Sequence, residues 1–234
     1  MVSVIDFPPN LRLNGRWTEP HLAFNNRTGG VALNGDEQIL GSLSARWELR
    51  VEVAIHNEAD ARSFRAIKTA LKGKFNYLRL PLKEPSRITR RDIGAVGVPG
   101  GVPFGDGVHF SDGSGFTLAQ PSAPLVAAAS AGDDTITVPA SYFSGAMTAG
   151  VFFGLNDWLH QVDNWEEDGD NYVLTISPPL REDAAEGDEA DFTGRAIWQL
   201  AEDATGKADL SEGGRHGIAE LVLIEPIGRR LDAS

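Results

Sequence analysis

Histidines, acidic residues and tryptophans are the side chains of this sequence whose types and spacing could do chemistry. His21, His56, His109, His160 and His216 are scattered. A histidine metal site needs ligands close together on one element, and no two of these have ligand spacing. Two acidic runs stand out: Asp163, Glu166, Glu167, Asp168 and Asp170, then Glu182, Asp183, Glu186, Asp188, Glu189 and Asp191. A calcium loop sets alternating oxygen ligands around a fixed glycine turn. DGDN (168–171) is too short for that spacing, and the Gly-Asp steps of GDGVHFSDGSG (105–115) do not repeat. Solvated turns between strands are the plainer reading of both runs. A carboxylate pair for glycoside hydrolysis is defined by a separation in three dimensions, which no linear pattern specifies. Trp158, Trp165 and Trp198 could stack on sugar rings. Trp198 sits in the apolar run AIWQL and Trp158 near Phe152 and Phe153, so packing in a core suits them better.

Enzyme signatures are otherwise missing. There is no G-x-S-x-G elbow, no phosphate loop ending in Gly-Lys-Ser/Thr and no H-E-x-x-H. The absence of cysteine excludes disulfides, thiolate catalysis and thiolate metal sites, and it is compatible with synthesis in a reducing cytosol. No catalytic, cofactor-binding or metal-binding residue is assigned. The expectation is a non-enzymatic protein without a cofactor.

The element that must position its neighbours runs from Trp47 to Leu80. WELRVEVAI (47–55) alternates, with Trp47, Leu49, Val51, Val53 and Ile55 on one side and Glu48, Arg50 and Glu52 on the other, which is a half-buried strand. A helix follows over 57–73, where Asn57 caps, Glu58 and Asp60 sit in the first turn, and Gly73 ends it. Phe64, Ile67 and Leu71 share its apolar face, and Arg62, Arg65, Lys68 and Lys72 stay outside. KFNYLRLPL (74–82) is again a strand.

Residues 1–46 read as short strands and turns, with VALNGDEQIL a small hairpin about Asn34-Gly35. The stretch 93–115 packs eight glycines and two prolines into 23 residues, too many glycines to build a core layer. We read 83–123 as an extended loop or arm. From Pro124 strands return: DDTITVPA (133–140), a hairpin within 144–167 with Asn156-Asp157 at its turn, a strand ended by Pro178-Pro179, and two more at 192–203 and 216–226. Many short strands with one good helix give a mainly β (α+β) protein, an antiparallel β-sandwich or split barrel with one flanking amphipathic helix. The expected organisation is 1–82 as one β-rich half, 83–123 as the arm, and 124–234 as a second half packing with the first in one domain.

A length of 234 residues suffices for a sizeable core. No apolar run approaches the roughly 20 residues of a membrane span, and the N-terminus lacks a signal-peptide pattern. The net charge of −12 is unevenly spread. Residues 1–93 hold 15 Lys+Arg against 10 Asp+Glu, a net of +5, and residues 94–234 hold 6 against 23, a net of −17. Opposite signs suit contacts within the chain or between copies, and the acidic part argues against a nucleic-acid binder.

Two stretches resemble a known class. RWELRVEVAIHNEADARSFRAIKTALKGKFNYLRLPL looks like the strand–helix–strand centre of bacteriophage distal tail proteins, which sit at the end of the tail tube of long-tailed phages. The segment 131–183 is similar to the pattern of the same proteins: a strand after Ala-Gly, a Gly-rich lead-in, a Leu-His-x-Val strand, an acidic turn and an Ile-x-Pro-Pro-Leu-Arg ending. GIAELVLIEP fits the closing strand. The matches cover a little under half of the chain in matching order, and the motifs are short and structural. The resemblance implies a tail-tube-like belt domain closing as a homo-oligomeric ring, a hexamer, in the virion after synthesis in the host cytoplasm. Its implied partners are the tail tube protein, tail hub or tip proteins and receptor-binding proteins. Genomic DNA would pass through without specific binding, and no membrane is involved. Arg62, Arg65, Lys68 and Lys72 are the expected assembly interface, and Glu182, Asp183 and Glu186 the expected acidic lining of the lumen. The alternative is a β-sandwich carbohydrate-binding or glycan-processing module using the C-terminal tryptophans.

Overall fold

The computed structural model describes residues 2–13, 19–24, 26–31, 37–40, 45–82, 87–88, 121–143, 145–203, 205–206, 208–210 and 216–228. The glycine-rich stretch 93–115, most of the expected arm and the Asn34-Gly35 turn lie outside them. In chain order the elements are β1 (Val4–Asp6), β2 (Arg12–Leu13), β3 (His21–Ala23), β4 (Arg27–Val31), β5 (Glu37–Leu40), β6 (Arg46–Ile55), α1 (Glu58–Leu71) and β7 (Tyr77–Leu80). They continue as β8 (Ser122–Pro124), β9 (Thr135–Pro139), β10 (Phe152–Leu155), β11 (Trp158–Asp168) and β12 (Asn171–Ser177). The last four are β13 (Glu189–Asp191), β14 (Ala196–Leu200), β15 (Ala208–Leu210) and β16 (Gly217–Ile224). The protein is mainly β with one α-helix among the described residues.

The chain divides into two compact units, Met1–Glu84 with Ala196–Ser234, and Pro85–Arg195. This differs from the expected single domain of 1–82 and 124–234. The physical reason is long-range pairing: β14 lies antiparallel to β7, and β16 lies antiparallel to β6 along its whole length. The last strands therefore belong with the first ones, and the middle of the chain folds on its own core.

In the first unit the sheet order is β1-β7-β14-β16-β6-β2, with β3 on β6 and β15 on β16. All pairs are antiparallel except β1 with β7, and β4 and β5 form a separate antiparallel pair. Alternation along β6 buries Trp47, Leu49, Val53 and Ile55 and leaves Val51 half-buried. Phe64, Ile67 and Leu71 of α1 are buried, as their spacing requires.

Both ends of α1 are fixed by side chains. Asn57 Oδ1 accepts from the Asp60 N–H at 2.9 Å, and Asp60 Oδ2 accepts from the His56 N–H at 3.1 Å, a reciprocal cap that leaves Asp60 buried. The helix ends at Leu71, inside the expected 57–73, because Lys72 itself turns left-handed (φ 50°) ahead of Gly73 (φ 64°). A Cβ on Gly73 would run into the Asp203 carboxylate, whose Oδ1 accepts from the Lys74 N–H at 2.8 Å.

Among the described residues, the second unit is a six-stranded antiparallel sheet, ordered β8-β13-β10-β11-β12-β9. Its two edges meet, since the Val126 N–H just after β8 donates to the Thr137 carbonyl of β9 at 2.9 Å. The sheet thus closes into a small barrel. Phe143, Phe153 and Phe192 fill its interior, with Phe143 edge-on to Phe192 at 5.0 Å between centroids. β10 and β11 are joined at Asn156-Asp157, as expected, and both residues have positive φ (51° and 65°), the hairpin turn whose twist matches the strands. At Gly154 the Arg195 carbonyl oxygen occupies the place of a Cβ. Gly154→Ala is expected to destabilise the protein by about 2 kcal/mol, against a few tenths for Thr175→Ser. The measurement is the urea midpoint, and equal effects would refute the close approach.

Candidate interaction surfaces

The cations expected on the outer face of α1 are only partly there. Arg62, Arg65 and Lys72 are exposed, and together with Ala66, Thr69 and Ala70 they line a shallow groove of about 610 Å³. Lys68 does not join them: it is half-buried, with its aliphatic stem beside Gly206. The described residues form the ion pairs Arg46–Glu48, Arg50–Glu220 and Arg79–Asp6, and none of these involves the four helix cations.

The division into units also changes the charge account. The first unit holds 16 Lys+Arg against 16 Asp+Glu, a net of zero; the second holds 5 against 17, a net of −12. All of the excess negative charge therefore resides on the barrel unit. Of the basic excess of residues 1–93, the +3 of residues 1–84 is cancelled by the −3 of residues 196–234, and the +2 of residues 85–93 falls in the second unit.

On the barrel, Glu182, Asp183 and Glu186 are exposed in the connection between β12 and β13. Asp183 Oδ1 accepts from the Ala131 N–H at 2.8 Å, so this carboxylate also ties one loop to another. Asp188 Oδ2 similarly accepts from the Ala185 N–H (2.9 Å) and the Asn156 side-chain amide (3.1 Å). In the other acidic run, Glu166, Glu167, Asp168 and Asp170 are exposed along the β11–β12 hairpin. Asp163, also exposed, accepts from the Ser177 hydroxyl at 2.5 Å.

The tryptophans offer little to a sugar. Trp158 and Trp198 are buried, and Trp165 is half-buried, edge-on to Tyr172 at 5.0 Å. His56 and His216 share a groove of about 440 Å³ with Asn57, Glu58 and Ala59 at the start of α1. No group of three metal-ligating side chains is gathered among the described residues, and no described helix is long and apolar enough to cross a membrane.

His160 is the titratable group that linear reasoning passed over. It is 1% exposed, its ring stacks on Phe153 at 5.4 Å, and its Nδ1–H donates to the Pro178 carbonyl at 2.8 Å. Burial lowers its pKa from 6.5 to about 4; the Arg181 charge adds to the lowering, and the Pro178 bond opposes it. The imidazole is therefore neutral at pH 7 and belongs to the core. Glu225 and Asn76, also buried, were equally invisible in the sequence. Glu225 Oε2 accepts from the Trp47 N–H at 3.2 Å; Asn76 accepts from the Ser3 N–H at 3.0 Å and donates to the Ala70 carbonyl at 2.7 Å. Their only sequence signal is position, a polar residue just past the end of an apolar strand or a helix.

With this geometry in hand, known proteins add no identification: no family model and no curated protein matches the chain. What the structure defines is a mainly β protein built of a sheet unit with one helix and a closed β-barrel unit.

The depressed His160 pKa makes a signed prediction. Protonation favours the unfolded chain, so the stability due to neutral His160 is fully present above pH 6.5 and is lost as pH falls toward about 4. The loss expected over that window is about 3 kcal/mol. The difference in unfolding free energy between the protein and its His160→Phe variant, followed from pH 7 to pH 4, should narrow in that direction. A pH-independent difference would refute it.

Proposed function

We propose that this protein is a non-enzymatic structural subunit of a phage tail tip. Copies assemble into a hexameric ring that joins the tail tube to the hub and receptor-binding parts and leaves a channel for DNA. The observation that carries this reading is the segregation of charge. Exposed cations of α1, unpaired with any described acid, lie on a neutral unit, and the whole net charge of −12 lies on the other. Such a chain is suited to head-to-tail contacts, in which one surface meets a different surface of the next copy, and rings close by contacts of that kind. The resemblance of Arg46–Leu82 and 131–183 to distal tail proteins supplies the biological setting. Of the three tryptophans on which the glycan reading rests, Trp158 and Trp198 are buried and Trp165 is half-buried, which favours the ring reading over it.

Native mass spectrometry and negative-stain imaging of the purified chain test the reading, and closed rings are the expected outcome. A monomer at every concentration reached would overturn it.

In such a ring Glu182, Asp183 and Glu186 line the channel, where like charge keeps duplex DNA from adhering. Glu182→Lys with Glu186→Lys is expected to turn a ring that ignores duplex DNA at low salt into one that retains it in co-sedimentation. Asp183 is left in place because its bond to Ala131 is structural. If the reversed ring still ignores DNA, the channel assignment is wrong.

A further inference from the structure

The ring reading leaves open which acidic surface meets the helix, and the strand pattern of the barrel singles one out. β11 is paired on both sides only over its first part. Its partner β10 ends opposite Trp158–Gln161, and the Val162 N–H and carbonyl bond to Val151 and Gly150. Beyond a bulge between Val162 and Asn164, the strand continues to Asp168 with β12 alone. Its other edge there has no partner strand among the described residues. The overhang is solvated: Asn164, Glu166, Glu167 and Asp168 are exposed, and only Trp165 leans back on Tyr172.

An exposed strand edge invites pairing, and charges and bulges are the usual guards against the wrong kind. This edge carries both. None of Glu166, Glu167 or Asp168 is in an ion pair among the described residues, and the same holds for Arg62, Arg65 and Lys72 of the helix groove. The two surfaces also match in length. Arg62 to Lys72 spans about 15 Å of helix axis, and Asn164 to Asp168 spans about 13 Å of strand. Exposed Ala66 and Ala70 keep the groove floor low between the cations, which allows a backbone to approach closely.

We propose that the acidic overhang of β11 in one copy seats in the α1 groove of a second copy, with Glu166, Glu167 and Asp168 against Arg62, Arg65 and Lys72. This rests on the ring reading and names its interface. The occupant is a second copy because the chain itself carries the complementary charge. A nucleic acid offering phosphates to the same groove is disfavoured by the net charge of −12 of the chain.

The test is self-association of the full chain at low salt, read by sedimentation velocity. R62E/R65E and E166K/E167K are each expected to weaken association at least tenfold, and the chain carrying all four substitutions should regain it. The milder R62Q/R65Q, which cannot repel, is expected to weaken association by a smaller factor and controls for misfolding. Assembly indifferent to both swaps, or lost in both and not regained in the fourfold variant, overturns the pairing and leaves the ring reading standing. A wild-type chain that never associates overturns both.

Discussion

The pairing of β6 with β16 is the constraint on which the rest depends. Eight consecutive positions, from Ile55 opposite Gly217 to Glu48 opposite Ile224, join strands separated by most of the chain. The register is one that the alternation of both strands demands: Leu49, Val51 and Val53 face Leu223, Leu221 and Ala219. A slip of one residue would turn every apolar side chain to the wrong face. Once this ladder forms, β14 completes the sheet between β7 and β16, and the apolar face of α1 has a surface to cover.

That ladder also explains why the barrel exists as a separate unit. Its chain leaves after β7 and returns into β14, and these strands pair with Ala196 opposite Leu80. The insertion therefore begins and ends on neighbouring strands. A segment with close ends that folds on its own core reduces the loop-closure cost of bringing β6 and β16 together. The barrel meets that condition, because the Val126–Thr137 bond joins its edges and an aromatic interior fills it. The same arrangement concentrates the negative charge on one unit, so the electrostatic asymmetry follows from topology rather than from the linear halves of the chain.

Buried polar groups mark the joints where elements change direction. Asp60 and Asn76 hold the two ends of α1, and Glu225 extends the β6–β16 ladder past its last residue pair at Trp47. His160 anchors the end of β12 through Pro178. Each is hydrogen-bonded, as a desolvated polar group must be. They position the backbone at these joints.

Local features were legible in the sequence because their causes are local. The alternation of WELRVEVAI, the Asn57 cap, the i, i+3, i+7 face of Phe64, Ile67 and Leu71, and the Asn156-Asp157 turn depend on residues a few positions apart. The core role of Trp158 and Trp198 was legible for the same reason, from their apolar neighbours. Tertiary structure alone decided which strands share a sheet, that two units replace one domain, and that Lys68 leans toward Gly206 and away from the other helix cations. It alone also decided that β10 stops short and that, among the described residues, no strand pairs with the second edge of the acidic end of β11. Periodicity specifies which face of an element is buried, but the partner strand is chosen by contacts distant in sequence, more than a hundred positions for β7–β14 and β6–β16, which leave no mark in a linear pattern.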